Sequence, residues 1–80
     1  MKVVEKSEKV LQYLQERNLV KSYIKAKLLL ENGDLQSASF KKRRPKHLEI
    51  YYFRINKKYR AIGRFKGDQF VVTEISDHQD

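Results

Sequence analysis

Apolar residues change their spacing along the chain, and the changes mark out its elements. Val10, Leu11 and Leu14 recur at helical intervals behind Ser7, a suitable N-cap, and Glu8, suited to the positive helix end. This predicts a short helix over residues 7–17. Asn18 closes it and opens a second helix over 19–31, with Val20, Tyr23, Ile24 and Leu28 on one stripe and Asn32-Gly33 as its stop. Together they form an α-hairpin. Residues 1–5 either add a short edge strand through Val3 and Val4 or fray.

Beyond residue 33 the periodicity lapses. Residues 34–47 read as a connecting loop, anchored by Leu35 and Phe40 and carrying the run KKRRPK, whose Pro45 disfavours helix at Arg44. Residues 48–55, 59–65 and 70–76 are then rich in β-branched and aromatic side chains, separated by NKK and the turn signal KGD. The expected fold is a single α+β domain over residues 1–80: a two-helix hairpin on a three-stranded antiparallel sheet, or four-stranded if residues 1–5 join it.

Alternation across the strands sorts the charges. With Asn56 to Lys58 as a three-residue loop, Ile55 lies opposite Tyr59 and Arg54 opposite Arg60. Phe53 and Ala61 then face the helices, while Tyr52, Arg54, Arg60 and Arg64 share the open face. A two-residue loop would put Arg60 beside Phe53 on the core side, a costly place for an unpaired charge. The favoured register sets two arginines against each other, which costs a sheet some tenths of a kcal/mol. Two surfaces fit that pattern: a solvated face whose arginine stems cover apolar area, or an anion site whose planar forks grip phosphate oxygens.

Composition narrows the partners. The net charge of +8 is one block: residues 41–66 hold eleven Lys/Arg against one acid, Glu49, whereas residues 67–80 hold four acids and no Lys or Arg. Such a block recruits nucleic acid, an acidic membrane surface or an acidic protein. Lys41, Lys42, Arg43 and Arg44 lead into the strand carrying Arg54, as a solvated connector or a phosphate-contacting rim, and Tyr52 is placed to stack on a splayed RNA base. An 80-residue chain buries about 60% of its unfolded surface, so the core is thin. There is no cysteine, and His47 and His78 are too far apart to suggest a zinc motif. No run approaches the roughly 18 apolar residues of a membrane span, and MKVVEKSEK lacks an apolar signal stretch. These features lead us to expect a cytoplasmic protein.

The order of elements and two local strings resemble the RelE/ParE superfamily of toxins from type II toxin–antitoxin pairs, in particular its RelE- and HigB-like members. IYYFRINKKYRAI, residues 50–62, is similar to that family's hairpin, and EISDHQ, residues 74–79, to its final strand running into a His- or basic-containing end. The resemblance implies a toxin that enters the ribosomal A site and cuts mRNA without a metal or other cofactor, inhibiting translation until a cognate antitoxin protein neutralises it. It gives Arg60 the role of contacting the reacting phosphate. Asp77 and His78 fall where HigB-like members carry terminal acid/base residues, and Lys42 or Arg43 among the basic positions before the strand. The ParE branch implies a different target, DNA gyrase, and a degenerate member would bind RNA or antitoxin without cutting.

Cleavage by a 2′-hydroxyl needs a base, charge stabilisation at phosphorus and an acid for the leaving oxygen. His78 suits the proton transfers because an unperturbed histidine titrates at about 6.5. Its other reading is an exposed tail residue. Asp77 is the candidate to orient it, Arg60 and Arg54 to hold the phosphate, and Lys42 to assist; His47 most resembles an exposed loop residue. A two-residue Gly67-Asp68 turn sets His78 on the face opposite Arg60, and a three-residue Lys66 to Asp68 turn sets both on one face.

Overall fold

A computed structural model of the chain describes residues 1–77. It is α+β, with two helices on one side of a five-stranded mixed sheet. In chain order the elements are β1 (Lys2–Glu5), α1 (Glu8–Glu16), α2 (Val20–Glu31), β2 (Lys41–Lys42), a 3₁₀ turn (Lys46–Leu48), β3 (Tyr51–Arg54), β4 (Arg60–Lys66) and β5 (Gln69–Ser76). The strands lie in the order β1-β5-β4-β3-β2. The expected antiparallel meander is present as β3-β4-β5. The expectation of three or four antiparallel strands is corrected on two counts: β2 adds an edge, and β1 pairs parallel to β5.

The helices form much as the periodicity requires, with one change of phase. Val10 and Leu14 of α1 are buried, and Asn18 ends the helix in the left-handed conformation, φ 56°. Ser7 occupies the N-cap position, but its side chain makes no capping hydrogen bond. In α2 the buried stripe is Tyr23, Ala26 and Leu30, whereas Ile24 and Leu28 are 42% and 52% exposed. Of the expected stripe, Tyr23 is buried and Val20 packs partly buried against the core, but Ile24 and Leu28 turn outward and Ala26 and Leu30 take their place. Apolar side chains surround α2 on several sides, so periodicity alone leaves its rotation open. Tertiary partners decide it, because Tyr23 stacks on Phe53 with ring centroids 6.0 Å apart.

The connecting segment also departs from expectation. Leu35 is exposed, Phe40 packs against the core as expected, and Ala38 is a further buried anchor whose carbonyl accepts the Arg54 N–H at 2.9 Å. β3 begins at Tyr51 rather than Leu48 because residues 46–48 form the 3₁₀ turn and Glu49 takes a left-handed conformation, φ 53°.

β1 is fastened from both sides. It pairs with β5, and the Val3 N–H donates to Glu31 Oε2 at 3.0 Å on α2. The Tyr23 hydroxyl donates to Glu5 Oε2 at 2.6 Å, and Lys27 Nζ reaches the same oxygen at 3.1 Å. Burial, reinforced by the Glu5 hydrogen bond and the nearby carboxylates, pushes the Tyr23 hydroxyl far above the ordinary tyrosine value.

Candidate nucleic-acid interface

The predicted register of the β3–β4 hairpin is the observed one. Arg54 pairs with Arg60, Phe53 with Ala61 and Tyr52 with Ile62, and Phe53 and Ala61 are fully buried toward the helices. The loop is held by Asn56, whose Oδ1 accepts the N–H groups of Lys58 and Tyr59 at 2.8 Å each. This side-chain turn explains why three residues suffice to reverse the chain.

Hydrogen bonding fixes the spacing of the arginine pair. The Ile55 N–H donates to the Tyr59 carbonyl, while the Arg54 N–H points away from β4 to Ala38. Arg54 and Arg60 are therefore a non-hydrogen-bonded cross-strand pair, the class with the closer Cα separation, about 4.5 Å. The Arg60 guanidinium carbon lies 4.8 Å from the centroid of the Tyr52 ring, a cation–π contact that holds it over the sheet. Arg54 Nε donates to the Asn56 carbonyl at 3.2 Å, which braces the side chain while leaving its terminal amino groups to meet a ligand.

Strand parity extends the face. Arg64 and Lys66 of β4 and Lys41 of β2, paired with Tyr52, stand on the side away from the helices, as does Lys2 at the β1 edge. Ile62 lies on this side yet is only 8% exposed, because Tyr52, Arg60, Arg64 and Glu74 surround it. The result is an apolar floor walled by cation stems, with Glu74 the acid among them. Lys66 and Lys2 were not expected here. The alternation that placed Arg64 reaches Lys66 one step on, whereas Lys2 depends on the parallel pairing of β1.

The basic rim divides at the sheet edge. Lys41 shares Tyr52's face; Lys42 falls on the other, with Nζ 5.7 Å from the Tyr51 ring centroid. The Arg43 N–H donates to the Ile50 carbonyl at 2.7 Å, and Arg43, Arg44 and His47 are all exposed.

The turn between β4 and β5 is the two-residue Gly67-Asp68 form, since Lys66 pairs with Gln69. Turn length nevertheless does not decide which face the end of β5 presents, contrary to expectation. Ile62 pairs with Glu74 but Gly63 with Val72, so a bulge at Thr73 resets the alternation and brings Ser76 opposite Arg60. Asp77 is exposed immediately beyond. His78 lies outside the described residues.

No known family model matches the chain, and no characterised protein matches it significantly. Among the described residues no helix is long and apolar enough to cross a membrane.

Proposed function

We propose that the chain is a RelE/ParE-like toxin that binds mRNA on the ribosome across the helix-free face of its sheet and cleaves it, acting as a metal-independent endoribonuclease under the control of a cognate antitoxin. The observation that carries this reading is the Arg54–Arg60 pair, like charges held at the closer cross-strand spacing with Arg60 laid over Tyr52. Each planar fork can grip phosphate oxygens at two points, so an anion seated between the two strands can be held from both sides.

In the reaction the 2′-hydroxyl gives up its proton to solvent as its oxygen attacks the adjacent phosphorus, and the bond to the departing 5′-oxygen breaks as that oxygen takes up a proton. Arg60 stabilises the added charge on the phosphoryl oxygens, and Arg54 grips the same group through its terminal amino groups. Tyr52 stacks on a splayed base, and Lys41 and Arg64 hold flanking phosphates. Proton transfer to the leaving oxygen falls to His78, with Asp77 orienting it. Arg43 and Arg44 form the outer rim that first meets the RNA backbone, while Lys42 flanks the same edge from the reverse side of the sheet.

The test is induction of the protein with and without its neighbouring reading frame, followed by mapping of mRNA 5′ ends. We expect growth arrest with cuts at ribosome-occupied codons, suppressed by the antitoxin. Arg60→Ala is expected to lower cutting by about 10²–10³-fold, the usual loss when one preorganised charge stabiliser is removed. Arrest with intact mRNA and inhibited gyrase would replace this reading with the ParE-like one. RNA binding without cutting would leave a binding module.

A further inference from the structure

Glu49 is the one acid among the eleven cations of residues 41–66. An acid there weakens the attraction for phosphate, so its position calls for a separate reason. Its backbone is left-handed, φ 53°, a conformation a non-glycine side chain adopts at a cost. The conformation turns the chain out of the sheet just before β3. Beyond Gly63, paired with Tyr51, β4 therefore has no paired strand on its β3 side among the described residues, and residues 64–66 line an open notch.

That notch is a cavity of about 130 Å³ lined by Glu49, Tyr51, Arg64 and Phe65. An enclosed apolar cavity of about 150 Å³ accepts benzene, so this open one suits a single planar ring system. Phe65 is 43% exposed although its side of the sheet faces the helices elsewhere. It is held edge-on by Tyr51, Phe70 and Phe40, with ring centroids 5.1, 5.3 and 6.0 Å away, which leaves a fixed aromatic surface toward solvent. The Glu49 carboxylate and the Arg64 guanidinium have no ion-pair partner among the described residues.

We infer that this notch is a base-reading site for guanine in single-stranded RNA. The inference rests on the RNA-binding reading above and adds sequence selectivity to it. Phe65 supplies the stacking surface, which every base can use, with Tyr51 standing edge-on beside it at 79° as a wall of the notch. Selection comes from Glu49: an ionised carboxylate only accepts hydrogen bonds, and guanine presents two adjacent donors, N1–H and the 2-amino group, to its two oxygens. Adenine and cytosine each set an acceptor beside their amino donor, and uracil offers a donor flanked by carbonyls. Arg64 meets the phosphate of the same nucleotide, tying the base site to the arginine face.

The experiment measures binding of the full chain to the RNA pentamers UUGUU, UUAUU, UUCUU and UUUUU by fluorescence anisotropy at fixed salt. UUGUU is expected to bind about tenfold more tightly than the others, within the range of one good bidentate pair. In Glu49→Gln the loss of a negative charge strengthens binding to the other three, while UUGUU weakens, so the preference collapses through changes of opposite sign. Phe65→Leu is expected to weaken all four. If all four bind alike, or if Glu49→Gln strengthens all four equally, Glu49 is only a surface acid and the guanine site is overturned while the RNA-binding reading survives. If none binds, both fall.

Discussion

Arg54 and Arg60 stand where a stability-driven sequence would avoid two cations, and removing one separates structure from use. Arg54→Gln is expected to leave stability unchanged or to raise it by a few tenths of a kcal/mol, a Tm rise of about 1–3 °C, while weakening RNA binding. A loss above about 1 kcal/mol in thermal unfolding would make the pair structural instead. Tyr23 gives a second test at this scale. Its hydroxyl stays protonated in the fold far beyond the value near 10 at which an unfolded tyrosine ionises. Above pH 10 the unfolded state therefore binds fewer protons than the native one, and stability falls as pH rises, by about 1.4 kcal/mol per pH unit from this group. Tyr23→Phe should remove that component, seen as a shallower decline of Tm between pH 10 and 11, and should cost about 0.5–1.5 kcal/mol at pH 7 through the lost bond to Glu5.

The β3–β4 hairpin was legible because two constraints agreed: a three-residue loop and the cost of burying Arg60 both select the observed register. Asn56→Ala removes the acceptor of two loop N–H groups and is expected to destabilise the domain by about 1–2 kcal/mol in urea unfolding. The rotation of α2 was not legible, since its apolar residues nearly encircle it and only the Tyr23–Phe53 stack chooses among them. Nor was the Thr73 bulge, because nothing in QFVVTEIS marks where the alternation resets. Gly63 borders that irregularity for a steric reason: an added Cβ would fall on the Val71 carbonyl and within 2.9 Å of Phe70 Cζ. Gly63→Ala is expected to cost about 2–3 kcal/mol, and because Gly63 lies opposite Tyr51 it should also loosen the neighbouring notch.

Across the whole molecule, the helices take one face of the sheet and leave the other to Lys41, Arg54, Arg60 and Arg64. Four phosphate contacts to a single strand predict a slope of about −3 in log affinity against log salt, and a slope near zero would remove the electrostatic basis of the interface. The charge block was visible from composition, and the arginine face from strand alternation. The five-strand order was not, because β1 joins the sheet through a pairing with β5 nearly seventy residues away, which local patterns do not encode. That pairing also constrains how the protein is made. A nascent chain that has delivered residues 1–68 holds two helices and an N-terminal strand whose partner has yet to be synthesised, and it lacks the core side chains Phe70, Val72 and Ile75. Synthesis up to that point should leave a chain open to protease. The fold, and with it the ability to hold RNA, is then acquired in one late step once β5 has cleared the exit tunnel, so the ribosome that makes this protein does not carry a finished copy of it while most of the chain is still being assembled.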